Sequence, residues 1–156
     1  MKYELLELKQ ELKEELTHNI LPFWMNKMPD EKNGGFFGQI TGKDVLVSDA
    51  PKGGILNARI LWTFSSAALH LKNKLYLEYA KRAKDYILEH FFDAGNGGTY
   101  WMLHADGTPA DTKKQIYSQA FFIYAFVEYY RATGDMACLD KAKELFLLHA
   151  FHCLVL

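Results

Sequence analysis

Apolar residues recur every three or four positions along most of the chain, which is the spacing of helices and not of strands. Leu5, Leu8, Leu12, Leu16 and Ile20 lay one stripe along a first amphipathic helix, and Pro22 is expected to bound its end. Residues 26–54 break the pattern. They carry Asn33-Gly34-Gly35 and Lys52-Gly53-Gly54 around the β-prone Phe36-Phe37, and helix-free connections of this length often hold the binding function. Residues 55–71 are apolar on nearly every face, through Leu61, Trp62, Phe64, Ala67, Ala68 and Leu69, which predicts a buried helix. Residues 75–91 set Leu75, Tyr79, Ala83, Tyr86, Ile87 and Leu88 against Lys81, Arg82, Lys84, Asp85 and Glu89, which predicts a helix with one face in solvent.

A second glycine-marked loop, Gly95-Asn96-Gly97-Gly98-Thr99-Tyr100-Trp101, leads into Asp106-Gly107-Thr108-Pro109, whose turn residues predict a hairpin. Another apolar helix is expected over residues 112–133, with Asp111 as its N-cap and Gly134 as its stop. An amphipathic partner begins near Asp135. The order is thus loop, buried helix, amphipathic helix, twice over: Gly34-Gly35 returns after 63 positions (97 − 34) as Gly97-Gly98, and Leu77-x-x-Ala80-Lys81 after 62 (139 − 77) as Leu139-x-x-Ala142-Lys143. Such hairpins bury one side against the next, so a series of them must cap itself or close into a ring. The expected fold is all-α, helical hairpins with short β-hairpin loops at the inner-helix ends, in one domain over residues 1–156. Residues 147–156 form an apolar run without a polar capping face, so that domain reads as partial and truncated at its C-terminus.

Composition narrows the function. The 156 residues are 49% hydrophobic and 24% charged, enough for one domain with a substantial core. With 18 basic and 19 acidic residues the net charge is -1, which lacks the footprint a nucleic-acid backbone demands. The charge-studded N-terminus is neither a signal nor a spanning segment, so no membrane partner is expected and the cytoplasm is the expected compartment. Cys138 and Cys153 make no disulfide framework. His149 and His152 stand at i, i+3 without a third ligand, so no metal is expected, and no phosphate-binding glycine loop or other cofactor motif occurs. Asp49, Asp106 and Asp111, the loop carboxylates a glycosidase would need, are more simply turn formers and caps.

Arg59 is the sharpest chemical signal, because it lies in a helix that otherwise looks buried. A guanidinium there must meet a carboxylate or point into a polar cavity. It either makes a structural ion pair, reaches out past the helix end, or serves as a planar donor for sugar or enediolate oxygens. Tyr117 occupies a similar early position on the second apolar helix, and Asn57 and Gln119 add amides at the same end. Trp62, Trp101 and Tyr100 could stack on a pyranose ring or simply fill the core.

The segments Asn33-Gly34-Gly35-Phe36-Phe37-Gly38, Gly53-Gly54-Ile55-Leu56-Asn57-Ala58-Arg59-Ile60-Leu61-Trp62, Gly97-Gly98-Thr99-Tyr100-Trp101 and Pro109-Ala110-Asp111-Thr112-Lys113-Lys114-Gln115-Ile116-Tyr117-Ser118-Gln119-Ala120-Phe121 together resemble the start of the cellobiose 2-epimerases, within the N-acylglucosamine 2-epimerase superfamily. The resemblance implies part of an (α/α)6 toroid whose inner helices surround a sugar site. It also implies epimerisation at carbon 2 of the reducing-end glucose of cellobiose and related β-1,4-linked disaccharides, through a cis-enediolate. In that setting Arg59 matches the arginine at the oxygens near the reacting carbon, and Tyr117 matches a tyrosine lining the site. The family's paired acid/base histidines belong to later segments, and none of the six histidines here occupies their motif, so this chain alone is expected to be inactive. Other toroid sugar enzymes, namely N-acylglucosamine 2-epimerase, an aldose–ketose isomerase or a glycoside hydrolase, and a non-catalytic helical-repeat remnant stay open as alternatives.

Overall fold

The leucine-striped N-terminus forms one long helical arm in the computed structural model, which describes residues 2–154. Helix α1 (Lys2–Glu15) passes through a π-helical turn at Leu16–Ile20 into α2 (Leu21–Asn26). Pro22 therefore does not end the helix. A proline ring conflicts with the carbonyl four residues back and offers no N–H, and the widened turn just before it relieves that conflict. Fully buried Leu21 ties the arm to the core, whereas Leu5, Leu8 and Leu12 are exposed.

The expected pairs of buried and amphipathic helices are present as α3 (Gly54–Leu71) with α4 (Leu75–Tyr86), and α5 (Ile116–Thr133) with α6 (Met136–Leu154). A second π-helical turn at Ile87–Phe91 prolongs α4 to the predicted boundary. Helix α3 packs on both α4 and α5, and α5 packs also on α6, so α3 and α5 are inner neighbours with an outer helix behind each. Their buried residues, Ala58, Leu61 and Phe64 on α3 and Phe122, Ala125 and Phe126 on α5, supply the shared core. Gly134, at φ 78°, stops α5 as expected, its N–H bonded to the Tyr130 carbonyl. Asp111 is not the N-cap of α5, which begins five residues later. It lies in a strand, pairs with Met102, and its carboxylate accepts the Lys113 N–H, so its pairing takes precedence over capping. Among the described residues, no helix is long and apolar enough to cross a membrane.

Three short antiparallel strands stitch the two units together. β1 (Lys52–Gly53) pairs with β2 (Met102–Leu103), and β2 with β3 (Pro109–Asp111). The sheet thus joins the residues that open α3 to the hairpin that precedes α5.

The repeat extends to individual hydrogen bonds. Asp30 Oδ1 accepts the N–H groups of Lys32 and Asn33, its carbonyl accepts the Gly34 N–H, and its Oδ2 accepts Asn33 Nδ2. Sixty-three positions later (93 − 30), Asp93 repeats the set with Gly95, Asn96 and Gly97. Each carboxylate also holds the lysine at the end of its own loop: Lys52 Nζ lies 2.8 Å from Asp30 Oδ2, and Lys114 Nζ lies 2.8 Å from Asp93 Oδ2. Both loops turn through left-handed glycine pairs, Gly34-Gly35 and Gly97-Gly98, that press against a side chain of their outer helix, Tyr86 on one and Leu148 on the other.

Two consequences are measurable. A Cβ on Gly35 would stand 2.6 Å from Tyr86 Cγ at a backbone φ of +61°. Gly35→Ala is therefore expected to lower the unfolding free energy in urea by about 2–4 kcal/mol, while Gly42→Ala, with no atom within 4 Å, should change it by less than about 0.5 kcal/mol. The Lys114 hydrogen bond, followed by the backbone and side-chain N–H groups of Asn96, holds the Asp93 carboxyl well below the usual carboxylate range. The unfolded chain, with this carboxyl at about 3.9, then binds the proton first as pH falls, so the pair stabilises the fold above that value and ceases to do so as pH falls through the folded one. Lys114→Met should move the acid-unfolding midpoint, followed by circular dichroism, to higher pH.

Candidate functional site

Residues three, four and seven apart share one face of a helix, and on α5 that arrangement gathers Tyr117, Ala120, Phe121 and Tyr124. They line a shallow depression of about 260 Å³. Tyr117 and Phe121 meet edge to face at 5.0 Å between ring centroids, as do Phe121 and Tyr124 at 5.4 Å. Trp62 of α3 stacks on Tyr124 at 5.5 Å with 24° between the planes. Aromatic rings from two neighbouring inner helices thus form one continuous wall, and Tyr117 remains 64% exposed on it.

Arg59 stands one turn before Trp62 on α3. Burial holds the Tyr124 phenol above its ordinary value, so it ionises less readily, and the Arg59 charge works in the opposite direction. Arg59 is exposed, not buried, and among the described residues it has no ion pair or hydrogen bond. Of the three readings of Arg59, this removes the structural ion pair among the described residues. The face of α3 that carries it is turned away from the buried core, so its positive charge keeps its hydration and needs no carboxylate.

The amides part from that wall. Asn57 is 1% exposed and Gln119 is 0% exposed, each two residues from Arg59 or Tyr117 and so about 200° around the helix. Asn57 Nδ2 donates to the Gly53 carbonyl at 2.9 Å, and Gln119 lies beneath the second glycine loop, where a Cβ on Gly98 would come within 2.9 Å of its Oε1. Asn57 thus bonds the residue before α3, whereas the buried Gln119 amide lies against the second glycine loop with no hydrogen-bond partner among the described residues. Trp101 is held beside the start of α3 by its backbone: its carbonyl accepts the Gly54 N–H at 2.9 Å, and its N–H donates to the Asp111 carbonyl. Its partly exposed ring lies under Lys113 Nζ at 5.1 Å.

No described histidine touches the wall's rings. His70 is at the far end of α3, roughly 16 Å along the axis from Arg59, and His90 packs on Tyr86 at 4.5 Å. The side chains of His149, His152 and Cys153, and much of the apolar C-terminal run, lie outside the described residues. Burial, followed by the Asp135 carboxylate, pushes the Cys138 thiol up to about 12, which makes it a poor nucleophile. Sequence reasoning missed Tyr124 and the role of Phe121. The signal was available in their spacing of seven and four from Tyr117.

Inner helices packed side by side, each with an outer helix behind it, form a section of an (α/α)6 toroid. Residues 35–152 match the family model described as N-acylglucosamine 2-epimerase (GlcNAc 2-epimerase), and the chain belongs to that family. It is 54% identical over 139 residues to a cellobiose 2-epimerase of Bacteroides fragilis, a match that covers 89% of this chain and 36% of that protein. It is 46% identical over 136 residues to a cellobiose 2-epimerase of Ruminococcus albus, covering 87% and 35%. The solved cellobiose 2-epimerase of Spirochaeta thermophila superposes with a TM-score of 0.88 at 41% identity, over 93% of this chain and 36% of that one. The chain therefore spans about a third of the length of the curated relatives it matches.

A free, exposed Arg59 contributes little to folding. Arg59→Ala is expected to move the urea-unfolding free energy by less than about 0.5 kcal/mol, as measured by tryptophan fluorescence.

Proposed function

We propose that this chain supplies one wall of the sugar site of a cellobiose 2-epimerase, with Arg59 as its oxygen-binding group. The observation that carries the reading is the exposed guanidinium beside a Trp62–Tyr124 stack on the inner helices, in a chain 54% identical to a cellobiose 2-epimerase. The C–H faces of a pyranose suit the aromatic rings, and a planar guanidinium suits two neighbouring oxygens.

In the proposed reaction the reducing-end sugar opens, a base removes the proton from carbon 2, and the electron pair moves to give an enediolate. Negative charge then develops on the oxygens of carbons 1 and 2. Arg59 stabilises that charge, and return of a proton to the opposite face of carbon 2 completes the inversion. Tyr117 and Trp62 border the sugar, with Trp101 at the rim. Asn57 and Gln119 belong to the reading as residues that set the inner-helix starts. We propose that the acid/base pair is not among the six histidines here, none of which occupies the motif the family resemblance implies, and we place the enzyme in the cytoplasm.

The test uses the purified chain with cellobiose. Binding is expected in the millimolar range for so open a wall, weakened about tenfold or more by Arg59→Ala, with no glucosyl-mannose formed by NMR. Affinity unchanged by Arg59→Ala would remove Arg59 from the site, and conversion by the chain alone would refute the placement of the acid/base pair.

A further inference from the structure

Lys52 lies two residues before Gly54, the first residue of α3, and its side chain is 1% exposed against an Asp30 side chain at 0%. Its ammonium donates to Asp30 Oδ2 and to the Gly34 carbonyl, each at 2.8 Å, and lies 4.7 Å from the centroid of the Tyr86 ring. Asp30 is fixed in turn by the N–H groups of Lys32 and Asn33, and its carbonyl by Arg82 from the outer helix. Nothing in that arrangement touches the aromatic wall. It does fix the backbone of Lys52–Gly53, which pairs with Met102–Leu103, and hence the first residue of α3.

We propose that the Asp30–Lys52 pair is a positioning device for the sugar site: it fixes where α3 begins and so where Arg59, five residues beyond Gly54, presents its guanidinium. The carboxylate–lysine contact recurs in the second unit, less deeply buried, where Asp93 holds a 29% exposed Lys114 two residues before α5 and three before Tyr117. The sequence separations differ, 22 residues for the first pair and 21 for the second, yet the contact is the same. What recurs is a fastening of each loop to the residue two positions before an inner helix, not a loop of fixed length.

A buried ion pair is a poor source of stability, because replacing both charges by apolar groups of similar size is often neutral or stabilising. It is well suited to defining one geometry, since an ammonium has few acceptors to choose from. That difference separates positioning from mere support, and the sugar arm of the test rests on the function proposed above.

The experiment compares the 156-residue chain with the double variant Asp30→Leu/Lys52→Met and with Lys52→Arg. Each is followed by thermal unfolding, by amide hydrogen exchange in peptides covering residues 52–60 and 63–71, and by cellobiose titration. The double variant is expected to unfold cooperatively within a few degrees of the parent. Its exchange over 52–60 should be about tenfold faster with 63–71 unchanged, and its cellobiose affinity should fall about tenfold. Lys52→Arg, which keeps the charge but not the shape, should loosen 52–60 in the same way, and it decides the question if the double variant does not fold. Parent-like exchange over 52–60 in the folded variants would overturn the proposal, as would loosened exchange with undiminished affinity. If the parent itself fails to bind cellobiose, the sugar-site reading falls, and the exchange over 52–60 still decides whether the pair fixes the start of α3.

Discussion

An ammonium denied water has to be given acceptors, and the first loop is built around that requirement at Lys52. The Asp30 carboxylate supplies one, the carbonyl of Gly34 another, and the face of Tyr86 a third, softer contact. Burial alone would raise the Asp30 carboxyl, but the Lys52 ammonium and the Asn33 N–H groups outweigh it and hold the carboxyl below its ordinary value. Gly34 and Gly35 must take left-handed backbone conformations to bring the chain over the ring, which only glycine does at small cost. Loop, outer helix and inner-helix start are therefore one assembly, and the second unit repeats its loop bonds and its carboxylate–lysine contact at Asp93 and Lys114.

From that assembly follows a division of labour on the inner helices. Polar groups near their starts, Asn57, Ser118 and Gln119, face the interior beneath the loops. The opposite faces carry Trp62, Tyr117, Phe121 and Tyr124, which stay partly or largely exposed, with Arg59 among them. In the proposed function this exposed apolar patch on two packed helices is the binding surface, and the guanidinium set into it favours an oxygen-rich ligand. Catalysis by proton transfer would need bases placed across from this wall.

Much of the architecture was legible before any coordinates. The alternation of buried and amphipathic helices, the stop at Gly134 and the internal repeat follow from periodicity and turn chemistry, because those signals are local. Pro22 and Asp111 misled for reasons that are not local: a π-helical turn made room for the proline, and pairing with Met102 claimed the aspartate. The side of the helix on which each candidate stands was only partly readable. Spacing separates Asn57 from Arg59 and Gln119 from Tyr117 by about half a turn, so the amides and the wall could not share one face. The Asp–Lys pairs were hidden because their partners lie over twenty residues apart, although their recurrence with the glycine pairs left a trace in the sequence.

On the proposed function, the Trp62–Tyr124 wall with Arg59 is the carbohydrate face of the chain. Saturation-transfer NMR tests it most directly, with the aromatic protons irradiated and the cellobiose C–H signals observed. The account predicts transfer strongest at the reducing-end ring and abolished by Tyr124→Ala. Transfer that is absent, or that survives Tyr124→Ala undiminished, would contradict it.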